Sequence, residues 1–146
     1  MSTRGGSALR LACRIWLEDN GRAFGEGPAA LLDLIRTEGS INKAAASVGM
    51  AYPAAWLMMK TTEERLGFAL LERRIGGKRG GGSTLTTAGE ELLRRYRALQ
   101  ADVDRDLQRL FDHHFSDWSP GDASGLVSGA PEQAHQGEQP SRYRPL

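Results

Sequence analysis

The interval 40–66 constrains this chain most, because two helical patterns there are separated by a single glycine. Ser40 is a residue type that caps a helix start, and an alanine-rich helix is expected over 41–48 with Ala44-Ala45-Ala46 at its centre. Gly49 stops that helix and permits a sharp reversal. A further helix follows at once, opening near Tyr52-Pro53 and ending at Gly67. Ala55, Met59, Thr62 and Leu66 recur on one side of it at four-three-four spacing, which marks its core face despite the polar Thr62. Small residues on the first helix let the second pack closely across it. These are the dimensions of a helix-turn-helix.

The flanks complete a winged version of that unit. Residues 1–7 are small and polar and read as a flexible N-terminus. Leu9, Leu11, Cys13, Ile15 and Leu17 then alternate with Arg10, Ala12, Arg14, Trp16 and Glu18, the period of a half-buried strand. That places Cys13 inward as an inert core thiol. Asn20-Gly21 suits a tight hairpin turn, with a return strand over 22–24. Pro28 opens a helix whose apolar face is Leu31, Leu32, Leu34 and Ile35, and Gly39 ends it. After the helix-turn-helix, 68–75 reads as a strand, the glycine-rich stretch 76–82 as a loop tip, and 83–86 as a return strand. Thr87 with Glu90 has the form of a capping box for a long helix running to Phe115. Met58 and Met59 read as core filler.

The expected fold class is therefore mainly α with a small β component: a winged helix-turn-helix over 8–86 with an N-terminal β-hairpin, then a long C-terminal dimerisation helix over 87–118. Leu92, Tyr96, Leu99, Val103, Leu107 and Leu110 recur along that helix at spacings of four and three, longer than a small core needs. Pairing with the same helix of a second chain is the expected use. Residues 119–146, rich in Pro, Gly, Ser, Gln and Glu, read as a disordered tail.

Composition bounds the function. With 146 residues, the chain suits one domain plus an extension and is too short for an additional sensing domain of ordinary size. Its 19 Lys+Arg against 18 Asp+Glu give a net charge of +1, which leaves room for a local basic patch. The single cysteine excludes an intramolecular disulfide framework and any Cys-rich zinc site. Adjacent His113 and His114 point to different sides of a helix, so no metal is expected. The loop 76–82 lacks phosphate-loop spacing, and no nucleophile–base arrangement is visible. No enzyme activity and no cofactor are expected. Without an apolar run long enough to span a bilayer or a secretory leader, the expected location is cytoplasmic and nucleoid-associated.

The implied partner is double-stranded DNA. The second helix of the motif would enter the major groove and read bases with its N-terminal residues, Ala51, Tyr52, Pro53 and Ala54. Tyr52, Trp56 and Lys60 form an i, i+4, i+8 stripe on it. Trp56 either contacts DNA or packs under the wing or against the preceding helix. Arg73, Arg74, Lys78 and Arg79 on the wing would meet phosphates or enter the minor groove, with Ser40 at the neighbouring helix start. A homodimer would face a pseudo-palindromic site. The rival reading is a winged-helix protein-interaction module that does not use DNA.

The ordered residues Ser40-Ile41-Asn42-Lys43-Ala44-Ala45-Ala46-Ser47-Val48-Gly49-Met50, Tyr52, Ala55-Trp56-Leu57, Leu70-Leu71-Glu72-Arg73, Gly76-Gly77, Leu85-Thr86 and Ala88-Gly89 carry a family resemblance. The stretch resembles the N-terminal winged helix of ModE-type molybdate-responsive regulators. It is also similar to LysR-type regulator domains, which share the form S-x-x-x-A-A, then Q-P-A, then L-x-R. The resemblance covers roughly 14–99 and implies a dimeric transcriptional regulator paired through the long helix. Two departures matter. Pro53 and Ala54 stand where ModE-type domains often carry basic residues, closer to the LysR form. ModE-type regulators also continue into β-barrel domains that bind molybdate, whereas a low-complexity stretch follows Trp118 here, with no molybdate site visible.

Overall fold

A computed structural model describes residues 9–75 and 82–125. The chain divides into two compact units, Cys13–Asp104 and a second formed by Met1–Ala12 with Arg105–Leu146. In chain order the elements are β1 (Leu17–Glu18), β2 (Arg22–Phe24), α1 (Glu26–Glu38), α2 (Ile41–Ser47), α3 (Tyr52–Leu66), β3 (Leu71–Arg74), β4 (Gly82–Leu85) and α4 (Thr87–Phe115), followed by a 3₁₀ turn at Asp122–Gly125. This is the mainly α, winged helix-turn-helix architecture that the sequence implies.

The larger unit is built on α1, α2 and α3. Ser40 caps α2 by accepting from the Lys43 N–H at 3.1 Å. Gly49 turns the chain at φ 66°, a left-handed conformation that costs a side-chain-bearing residue energy. Ala44, Ala45 and Ala55 are fully buried, so the absence of bulk on both helices lets α2 and α3 meet. Phe24, Leu32, Ile35, Met59, Leu70, Leu93 and Tyr96 fill the rest of the core. On α3, Ala55, Met59 and Thr62 are buried. Thr62 resolves its polarity by donating to the Met58 carbonyl at 2.7 Å.

Two antiparallel hairpins flank these helices. Asn20 and Gly21 both adopt positive φ, the conformation that this residue pair tolerates, in a three-residue connection that pairs Glu18 with Arg22. The strand expected over 9–18 is confined to Leu17–Glu18, because its partner β2 has only three residues and offers no ladder further upstream. Cys13 is consequently exposed, not an inward core thiol. Ile15 and Leu17 still pack against the core. The second hairpin pairs Leu71 with Leu85 through Arg74 with Gly82. Its return strand is stitched to the α1–α2 turn by the Ser83 N–H donating to Gly39 O at 2.8 Å.

The start of α4 corrects the expected capping box. Thr86, not Thr87, caps the helix. Its Oγ1 accepts from the Gly89 N–H at 2.9 Å and donates to Ala69 O at 2.7 Å, while its N–H donates to Leu70 O at 2.9 Å. Gly89 is required by proximity, since a Cβ there would stand 2.4 Å from Leu70 O. Arg97 then ties α4 to α1 through Asp33 at 2.6 Å and Glu26 at 2.8 Å. Burial pushes the Glu26 carboxyl up, but hydrogen bonds from Gln100 and Arg97 outweigh it and hold it below its ordinary value.

In the second unit, Phe111 stacks on Phe115 at 5.1 Å and Phe115 meets Trp118 edge-on at 5.6 Å. The tail expected to be disordered from 119 begins instead with an ordered turn. Ser119 donates to Asp122 from both its N–H, at 2.6 Å, and its hydroxyl, at 2.9 Å. The expected flexible segment 1–7 and residues 126–146 lie outside the described residues. No described helix is long and apolar enough to cross a membrane.

Candidate nucleic-acid interface

The fold brings Ser40, Tyr52, Arg73 and Arg74, four of the expected site residues, to one cleft. A cleft of about 250 Å³ is lined by Ser40 and Asn42 from the start of α2, Tyr52 from α3, and Arg73, Arg74 and Ser83 from the wing strands. Two arginines, a tyrosine and short polar residues thus line one cleft. Arg73 and Arg74 are exposed on β3. The Arg73 guanidinium sits 5.2 Å from the centre of the Trp56 ring, a cation–π contact that orients it. Trp56 is half-buried beneath that arginine, which is the packing alternative for this residue.

Ala51, Tyr52, Pro53, Ala54 and Lys60 are exposed at the start and along the outer side of α3. Lys78 and Arg79 lie outside the described residues. Helical periodicity shows what the stripe Tyr52, Trp56 and Lys60 misses. With Ala55, Met59 and Thr62 inward, the side pointing straight away from the core carries Pro53, Leu57, Lys60 and Glu64. Leu57 is 59% exposed there. The signal was present in the sequence as the residue opposite the core stripe.

Several arginines outside this face are engaged by carboxylates. Arg36, Arg94, Arg95, Arg97 and Arg109 are each held by a carboxylate on α1 or α4. Among the described residues, Lys60, Arg73 and Arg74 enter no ion pair. Their charge is therefore available to a ligand. No group of three or more His, Cys, Asp or Glu among the described residues is arranged to hold a metal.

The expected dimerisation stripe divides in two. Tyr96 is 1% exposed, meets Phe24 edge-on at 5.1 Å and donates its hydroxyl to Ile15 O at 2.9 Å, so it belongs to its own chain's core. Leu92 packs against that core as well. Leu99 and Leu110 are exposed at 43% and 49%, with Val103 and Leu107 half-buried.

A three-helix core, a glycine turn between α2 and α3 and a basic β-hairpin define a winged helix-turn-helix domain. Residues 29–90 match the family described as "Bacterial regulatory helix-turn-helix protein, lysR family". The particular likeness is to ModE. The chain is 38% identical over 105 residues to the molybdenum transport protein ModE of Azotobacter vinelandii, covering 71% of this chain and 39% of that protein. It is 40% identical over 99 residues to the molybdenum-pterin-binding protein MopB of Rhodobacter capsulatus, covering 68% and 37%. It is 37% identical over 67 residues to the DNA-binding transcriptional dual regulator ModE of Escherichia coli strain K12, covering 46% and 26%. The chain thus spans less than two fifths of the length of these relatives. Among solved structures, the CbnR DNA-binding domain in its DNA complex superposes with a TM-score of 0.49 at 24% identity, covering 60% of this chain and 95% of that one.

Proposed function

We propose that this protein is a transcriptional regulator that binds double-stranded DNA sequence-specifically as a homodimer. The observation that carries the reading is the convergence of Arg73, Arg74 and Tyr52 on one cleft beside the exposed side of α3. In this reading α3 enters the major groove, the wing lies on the backbone or in the minor groove, and Lys60 adds a phosphate contact. The relatives named as DNA-binding and transcriptional regulators support it. Lys78 and Arg79, which lie outside the described residues, are assigned to DNA contact on their sequence alone. Leu99, Val103, Leu107 and Leu110 pair with the α4 of a second chain, which sets two α3 helices on a pseudo-palindromic site. A cytoplasmic, nucleoid-associated location accompanies this role. The molybdenum link remains with the relatives, and no molybdate role is assigned to the described residues.

Selection of bound sequences from random duplex DNA at two salt concentrations tests the proposal. An enriched two-fold motif whose affinity falls with salt is expected. Flat enrichment would favour a winged-helix protein-interaction module instead.

A further inference from the structure

We infer that Leu57 is a specificity-determining residue that reads the C5 methyl group of thymine in the major groove. This rests on the proposed DNA binding. Leu57 lies on the side of α3 that points directly away from the core residues Ala55, Met59 and Thr62. At 59% exposure it is among the most exposed large hydrophobic side chains of the described residues. It takes no part in the buried core. Ala54, one turn before it, is exposed, and Thr61, one turn after, is half-buried. The three line the edge of a cleft of about 530 Å³. They form a short methyl-bearing strip along a helix whose neighbouring flank carries Lys60 and faces the wing arginines.

The chemistry of the major groove leaves one partner for such a strip. Base edges there present hydrogen-bond donors and acceptors, and an aliphatic side chain laid on them strips their water without replacing it. Only thymine offers an apolar group in that groove, its C5 methyl. A leucine at the centre of the reading face therefore favours thymine and penalises cytosine or guanine at that step. The basic cleft beside it supplies affinity without sequence choice, so the preference has to come from this face.

The test uses the full chain and the duplex that it selects. Each thymine of that duplex is replaced in turn by deoxyuridine, which keeps the hydrogen-bonding edge and lacks the methyl. At one step in each half-site the wild type is expected to lose about fourfold in affinity per methyl. Leu57→Ala, a change on an exposed position, is expected to bind the thymine and deoxyuridine duplexes equally. Equal binding of every deoxyuridine duplex by the wild type overturns the inference, as does a selected site without thymine. So does a Leu57→Ala protein that keeps the wild-type preference, because the methyl is then read by another residue. If no duplex is selected, the DNA-binding proposal itself fails and the inference falls with it.

Discussion

Arg73 approaches the face of Trp56 at 5.2 Å, and the tryptophan is itself half-buried. A guanidinium held over a ring keeps its charge and gives up rotamer freedom before any ligand arrives, so less order is lost on binding. Arg73→Ala and Arg74→Ala should each lower the salt slope of DNA binding by about one unit, measured by fluorescence anisotropy over a salt series. Unchanged slopes in both would remove the wing from the interface. Gly89 makes a different kind of demand. A Cβ at 2.4 Å from Leu70 O meets backbone, not a yielding side chain. Gly89→Ala should cost about 1–3 kcal/mol in denaturant melts. In the sequence Gly89 stands out only through the Ala88-Gly89 pair of the resemblance, and no local pattern gives its reason, since the approach of Leu70 comes from a residue far away in the chain. Trp56 has two readings for the same reason. Spacing puts it on a helix face, but what covers that face is the wing.

At the scale of elements, the helices and the wing hairpin were legible, and the extent of the first strand was not. The ends of α1, α2 and α3 are written largely locally, by Gly39, Ser40, Gly49 and Gly67, although α1 starts at Glu26, two residues before Pro28. The alternation over 9–18 is as regular as any strand, yet a ladder needs a partner of equal length, and β2 stops at Phe24. The cap of α4 moved from Thr87 to Thr86 because Thr86 is claimed by Ala69 and Leu70, contacts that no local pattern announces. One turn into α4, Glu91 accepts hydrogen bonds from Arg94 at 2.8 Å and Arg95 at 2.6 Å. These bonds, Arg94 first, hold its carboxyl at about 2 against an ordinary 4.5. A depressed carboxylate contributes its stability above the unfolded value and loses it as pH falls through the folded one. Helicity followed by circular dichroism should therefore decline between about pH 4.5 and 2 more steeply in the wild type than in Glu91→Gln. Superimposable profiles would show that the Glu91 contacts add nothing to the helix.

For the whole molecule, a net charge of +1 conceals a division of labour. Glu26, Asp33, Glu91 and Asp106 of α1 and α4 pair with arginines of those same helices, whereas Lys60, Arg73 and Arg74 enter no ion pair among the described residues. The stripe on α4 divides likewise, with Leu92 and Tyr96 spent on the chain's own core and Leu99 and Leu110 exposed. A seven-residue repeat reports both uses in one pattern, so the sequence could not separate them. Leu99→Glu combined with Leu110→Glu should convert the proposed dimer to a folded monomer in sedimentation velocity at micromolar concentration. Its melting temperature should approach that of the diluted wild type, because neither leucine is buried within its own chain. A dimer that survives both charges would place the pairing surface elsewhere. On α3 the inward set Ala55, Met59 and Thr62 and the outward set Pro53, Leu57, Lys60 and Glu64 have no member in common. Under the proposed reading, a duplicated gene that changed a few outward codons would acquire new target sites, while selection for folding, acting on the inward codons, registered no change.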